Sequence, residues 1–228
     1  MTSSGPDGNA RSAAGRPKPH GYPVNLIVEG RSVVVVGAGR IATRKIEGLL
    51  DAGARVHVVA PALSDRIRTW RDEGRLTASE RGFEPADLDG AWLAFVATGD
   101  RAVNGAVYEE GQRRRVFVNS ADDPANCSLT LMSVVRRGDL QLAIGTAGRS
   151  PALATYLKER LGAEIGPEYE GLLEILADVR EEIRARGESS EAYDWRPAFD
   201  SAILDLVRDG KFEDAKEQLR QCLSSSSA

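Results

Sequence analysis

The sequence predicts an α/β fold: a doubly wound parallel sheet, then a small β segment, then a helical C-terminal region. Three observations predict it. Residues 32–36 read Ser-Val-Val-Val-Val, a continuous β-branched run suited to a parallel strand buried on both faces. A glycine-rich turn and an amphipathic helical pattern follow that run directly. Short apolar runs then alternate with helical stretches as far as residue 118, which implies parallel strands joined by right-handed crossovers.

Taken in order, residues 1–20 are rich in Ser, Gly, Pro and Ala and read as a disordered leader. After the first strand, Ala42, Ile46, Leu49 and Leu50 recur at i, i+4, i+7 and i+8 as one apolar helical stripe, which Gly53 ends. Residues 55–59 read as a second strand. A helix over 64–72, a short strand near 76–80 and the apolar run 91–96 continue the alternation, followed by a helix over 101–113 and a strand over 116–118. The character then changes. Residues 128–135 and 139–146 read as two strands joined by the turn Arg136-Arg137-Gly138, both arginines being solvated. Ser150 is a natural N-cap and Pro151 suits the first helical position. Leu172, Ile175, Leu176, Val179 and Ile183 mark another helix; 187–196 reads as a linker, and two short helices at 197–208 and 211–222 precede a Ser-rich tail. The expected organisation is a nucleotide-binding domain over 21–118, a central β segment over 119–149, a helical domain over 150–186, and a linker with additional helices over 187–228.

Composition narrows the function classes. The 228 residues are 42% apolar, enough for most of the chain to fold. Thirty basic against 34 acidic residues give a net charge of −4 with no basic run, which argues against nucleic acid as a partner. No stretch approaches 18 apolar residues, so no membrane span is expected, and the missing secretory h-region makes the cytoplasm the expected location. Cys127 and Cys222 have no close-spaced partners and read as free thiols. His20 and His57 are the only histidines, so no protein metal site is expected and acid–base chemistry falls to carboxylates.

Residues 37–42 read Gly-Ala-Gly-Arg-Ile-Ala, the G-x-G-x-x-A form of a dinucleotide fingerprint. Gly37 permits a tight turn, Gly39 lets backbone N–H groups approach a pyrophosphate, and the small Ala42 lets the helix pack closely on the strand. The helix opening at Arg40 and Ile41 points its positive end at the phosphates. Ala38 lies between the two glycines. A Rossmann-like domain of this kind usually ends its second strand with an acid that holds the ribose hydroxyls. Here the strand runs into Val59-Ala60-Pro61-Ala62, so backbone groups near Pro61 and Ala62 take that role, and Arg66 is the nearest cation for a 2′-phosphate. The residues alone leave NAD and NADP both open.

Two further clusters carry polar chemistry. Residues 119–124, Asn-Ser-Ala-Asp-Asp-Pro, follow a strand and so lie at the carboxyl edge of the sheet, where open α/β folds bind ligands. A carboxylate there can take a proton from a substrate beside a nicotinamide, while Asp-Asp-Pro equally fits an Asx-type turn. Residues 145–151, Gly-Thr-Ala-Gly-Arg-Ser-Pro, lead into a helix and gather free N–H groups, a hydroxyl and Arg149, suited to a substrate carboxylate or simply to a capped loop. Lys45 reads as a solvated helix residue and Cys127 as a small buried side chain.

These pieces, in this order, resemble the siroheme synthase dehydrogenase family, the precorrin-2 dehydrogenases. The matching segments are 33–45, Val58-Val59-Ala60-Pro61, 92–98, 118–124, 134–140 and Gly148-Arg149-Ser150-Pro151-Ala152-Leu153-Ala154, and the resemblance covers about 22–186. It implies oxidation of precorrin-2 to sirohydrochlorin with NAD as cofactor, Asp122 as the general acid/base residue, and Thr98 with the glycine turn at the cofactor. It implies Thr146, Arg149 and Ser150 at the tetrapyrrole substrate, and an intertwined homodimer built from the middle strands and helices. Some members also insert ferrous or cobalt ion into sirohydrochlorin, so a bifunctional enzyme is the alternative. A non-catalytic nucleotide or tetrapyrrole sensor is the alternative of another class. The methyltransferase half of fused siroheme synthases is not in this sequence, so methylation is not expected.

Overall fold

A computed structural model describes residues 21–121, 123–199 and 202–225. The chain divides into two compact units between Leu129 and Thr130.

The first unit is built on a five-stranded parallel sheet. Its strands are β1 (Ser32–Val36), β2 (Arg55–Val59), β3 (Thr77–Ser79), β4 (Leu93–Val96) and β5 (Phe117–Ser120), in the order β3-β2-β1-β4-β5. The valine run of β1 explains itself here. Val33 and Val35 enter one core with Ala42, Ile46, Ile67, Trp70 and Phe95, and Val34 and Val36 enter another with Val96, Val107 and Val118. A central strand covered on both faces calls for apolar side chains at each buried position, and only the partly exposed Ser32 at its start is polar. Helices α1 (Arg40–Asp51) and α2 (Asp65–Asp72) supply the first core, and α3 (Arg101–Arg114) supplies Val107 to the second. Asp100 caps α3 by accepting from the amides of Ala102 and Val103 at 2.8 and 3.3 Å. The doubly wound parallel sheet is thus as expected.

The second unit holds an antiparallel pair, β6 (Ser133–Arg137) and β7 (Leu140–Ile144), with helices α4 (Pro151–Glu164), α5 (Glu168–Ala185), α6 (Arg196–Phe199), α7 (Ile203–Arg208) and α8 (Phe212–Ser225). Helix α5 buries Leu172, Ile175, Val179 and Ile183 against Ile203, Val207, Ala215, Leu219 and Leu223 of α7 and α8. Ion pairs from Glu182 to Lys216 and Arg220 bind α5 to α8 along their flank.

Several boundaries differ from the sequence reading. The first hairpin strand starts at Ser133, not 128, because the amides of Ser128 and Leu129 both donate to the Val118 carbonyl and keep those residues with the first unit. For the same reason the division falls at 129, not 118. The hairpin turns on Gly138-Asp139, with Gly138 at φ +53°, and both arginines lie in β6. Arg137 is not a solvated turn residue: its Nη2 donates to the Gly162 carbonyl near the end of α4 at 2.7 Å. Among the described residues three helices follow 195, not two, and a short 3₁₀ turn (Ser190–Ala192) interrupts the linker. Residues 1–20 and the end of the Ser-rich tail lie outside the described residues.

Candidate active site

In the order β3-β2-β1-β4-β5 the chain direction of strand addition reverses between β1 and β4, and ligands of such sheets bind beyond the carboxyl ends at that point. The turn 37–39 leaves β1 there. Gly37 has φ +108°, donates to the Val59 carbonyl at 2.9 Å, and would place a Cβ 2.5 Å from the Ala97 carbonyl oxygen. Wedged between the ends of β2 and β4, that position accepts only glycine. Gly39 differs in kind. Its backbone is extended, at φ −78°, and a Cβ there would meet nothing within 4 Å. It is the N-cap of α1, yet it offers no side-chain cap, and the first turn of α1 contains no acid. A helix N-terminus with amides uncapped by side chains, facing open space, suits an anion. Ala42 is fully buried, as close helix–strand packing requires, whereas Arg40 and Ile41 are exposed beside the turn.

The neighbouring strand ends complete this edge. Pro61 and Ala62 are exposed after β2, and no acid stands on that turn; Asp65 opens α2 and pairs with Arg68. Arg66, the nearest cation, lies over the Trp70 ring at 4.7 Å from its centroid. After β4, the Thr98 hydroxyl donates to Oδ1 of buried Asn104 at 2.7 Å and accepts from the Asp100 amide at 3.2 Å. The Thr98 side chain therefore fixes the β4–α3 turn.

Beyond β5 the loop is fastened at its base. The Cys127 thiol donates to the Ser120 carbonyl at 3.3 Å and accepts from the Ser120 amide at 3.2 Å. The amide of Ser128 reaches the Val118 carbonyl at 2.8 Å. Burial raises the Cys127 thiol above its ordinary pKa, with the Ser120 amide opposing, so this is a structural thiol and not an activated one. Asp123 accepts from the Asn126 side chain at 2.8 Å, an Asx-like use of the second carboxylate. Asp122 lies outside the described residues.

Sequence reasoning missed the residue that joins the two edges. Lys45 is half-buried; its ammonium sits 5.0 Å from the Phe95 ring centroid and donates to Asn119 Oδ1 at 3.0 Å. Asn119, only 7% exposed, in turn donates to the Leu129 carbonyl at 3.1 Å. A signal existed, because Lys45 lies three residues after Ala42 and four before Leu49, on the buried stripe of α1.

In the second unit, Ala147 and Gly148 adopt successive left-handed conformations, at φ +51° and +72°. Arg149 N–H donates to the Thr146 carbonyl, and the Thr146 hydroxyl accepts from the Ser150 amide. Ser150 Oγ accepts from the Leu153 amide at 3.2 Å as the cap of α4. Arg149 is left exposed, whereas Thr146 and Ser150 are partly committed to the loop. Among the described residues no group of three or more His, Cys, Asp or Glu could hold a metal ion, and no helix is long and apolar enough to cross a membrane.

Comparison with known proteins places this arrangement. Residues 24–133 match a family model described as NAD(P)-binding, and 137–164 match the model of the sirohaem biosynthesis protein central region. The siroheme synthase of Photorhabdus laumondii is 34% identical over 206 residues, and that of Methylobacillus flagellatus 37% over 205. These matches span 90% and 89% of this chain but 44% of each relative, so the chain covers less than half the length of these curated relatives. The solved structure of SirC, a precorrin-2 dehydrogenase, superposes with a TM-score of 0.70 at 32% identity, covering 88% of this chain and 99% of that one. An alignment of 206 residues cannot fit within 22–186, so the likeness extends into the C-terminal helices, where the sequence reading found none.

Proposed function

The chain belongs to the precorrin-2 dehydrogenase family, and on that premise we propose that it catalyses the NAD-dependent oxidation of precorrin-2 to sirohydrochlorin in siroheme biosynthesis. The observation that carries this reading is the open, uncapped glycine turn at the strand-order reversal, joined through Lys45 to the polar loop after β5. In this reading Gly37, Ala38 and Gly39, with the backbone of Arg40 and Ile41, hold the pyrophosphate. The backbone at Pro61 and Ala62 meets the ribose, and that at Thr98 lines the cofactor edge. The engagement of the Arg66 guanidinium with the Trp70 ring favours NAD over NADP. When bound, NAD supplies the hydride acceptor. Asp122 acts as general acid/base: the substrate gives up one hydride, which carries both electrons to NAD, and one proton, which Asp122 takes. Thr146, Arg149 and Ser150 bind carboxylates of the tetrapyrrole.

A homodimer belongs to the same reading. Helix α4 buries only Ala154 and leaves Leu153 and Tyr156 48% and 56% exposed, which gives a second copy of the chain apolar side chains to cover.

The test is NADH formation on mixing precorrin-2 and NAD with the protein and with Asp122→Ala. The wild type should form NADH, and the variant should lose oxidation while binding NAD with near-unchanged affinity. Oxidation by Asp122→Ala at the wild-type rate removes Asp122 as the base, and no NADH from the wild type removes the reaction.

A further inference from the structure

We propose that Lys45 is a positioning residue for the oxidation: through Asn119 it holds the loop after β5 in register with the helix that carries the glycine turn. This rests on the reading above for its catalytic consequence, but not for its structural one. Lys45 lies three residues past Ala42, where the unpaired amides of α1 end, and its ammonium is held by Asn119 and the Phe95 ring. Its ammonium lies over the Phe95 ring on β4, and its Nζ reaches Asn119 on β5. Phe95 and Asn119 are register partners, so they lie side by side on the sheet face that α1 covers. One side chain thus spans from the cofactor helix across β4 to β5.

Asn119 uses both ends of its amide. Oδ1 accepts from Lys45, and Nδ2 donates to the Leu129 carbonyl and faces Cys127 Sγ at 3.9 Å. It stands at the start of the 120–129 loop and is bonded to its end. Cys127 with Ser120, and Ser128 with Val118, close the same loop beside it. The loop is therefore fastened to the strand from which it leaves, and Lys45 ties that fastening to α1. The charge of Lys45 strengthens the link, because an ammonium over an aromatic ring is held by the ring as well as by its acceptor. A shift of about 1 Å in a reacting group can cost on the order of 10²-fold in rate, so a link that sets the position of one half of the site against the other bears on kcat.

The experiment uses the full chain in three variants, Lys45→Met, Asn119→Leu and the double. Hydrogen–deuterium exchange of the cofactor-free protein reads the tie directly. Peptides spanning 120–129 should exchange about tenfold faster in each variant, with peptides from β1 and α2 unchanged. Turnover reads its consequence. The kcat should fall roughly 10- to 100-fold, KM for NAD should stay within about threefold, and the double variant should be no slower than the slower single one. Unchanged exchange in both single variants overturns the tie, whatever the activity. Faster exchange with wild-type kcat overturns the positioning role. Effects on kcat that multiply in the double variant, or a KM for NAD that rises as much as kcat falls, also overturn it. If the wild type forms no NADH while exchange behaves as expected, the oxidation reading fails and the structural link stands.

Discussion

Replacing Gly39 by aspartate should separate ligand binding from folding, because the same change acts on them with opposite sign. At φ −78° and ψ −175° the residue is in extended backbone that any amino acid adopts, and its Cβ would meet no atom within 4 Å. An aspartate there becomes the N-cap of α1, which now has none from a side chain, and places a negative charge at a helix N-terminus. Relative to glycine this contributes a few tenths to about 1 kcal/mol. For a chain of this size that moves Tm upward by about 1–3 °C. The same carboxylate occupies the space in front of the α1 amides. A phosphate charge about 5 Å from it is repelled by roughly 3 kcal/mol at an effective dielectric of about 20. That alone is about two decades in Kd. Thermal unfolding without ligand and calorimetric titration with NAD give the two numbers. Gly37→Ala is the contrast, since its Cβ would lie 2.5 Å from the Ala97 oxygen at φ +108°, and it should lower Tm without any ligand present. If Gly39→Asp binds NAD within about threefold of wild type, the pyrophosphate does not sit at this turn.

The remaining predictions concern single groups. Hydrogen bonds from Arg220, and after them from Lys216, hold Glu182 at about 2 against an ordinary 4.5. A depressed folded value means its contribution is complete above about 4.5 and is lost as pH falls toward 2; Glu182→Gln should flatten the acid limb of second-unit stability between those values, and an unchanged limb refutes the pairing. Asp87, held low by the bidentate Arg81 pair, contributes in the same sense in the first unit; Arg81→Met should make acid unfolding begin at higher pH, as read by circular dichroism. Cys127 should alkylate with iodoacetamide at about pH 8 more slowly than an unstructured thiol, mapped by peptide mass; equal or faster labelling contradicts its raised pKa.

How much was legible in the sequence follows from how local each constraint is. The valines of β1 show their double burial because both faces demand the same residue type. Gly37 and Gly39 were legible because a turn between strand and helix restricts backbone shape within three residues. The start of β6 was not, because what holds Ser128 and Leu129 outside the hairpin is the Val118 carbonyl, ten or more residues earlier. The two arginines before Gly138 looked like turn residues by polarity, yet Arg137 pairs with a carbonyl 25 residues on. Lys45 was hidden for the same reason. Its partner Asn119 is 74 residues away, and only the sheet order brings the two together.

The two edges of the site are made of different materials, and this explains their unequal legibility. On the edge proposed for the cofactor the groups in play are backbone: amides after Gly39, the exposed turn at Pro61 and Ala62, and the main chain at Thr98, whose hydroxyl is already engaged with Asn104. Such an edge depends on φ, ψ and available space, and an acid after Val59 is not needed to shape it. The edge after β5 is made of side chains. Lys45, Asn119 and Cys127 each hold a partner that no neighbouring residue could supply. Substitutions on the first edge should be tolerated wherever they leave the backbone path and the space before α1 unchanged. On the second, even a volume-conserving change removes a bond, and at the buried amide of Asn119 the group left unpaired carries its desolvation cost. The loop that carries the proposed base is therefore the more fragile half of the proposed site, because its fastening at Asn119 is shared with Lys45 of α1.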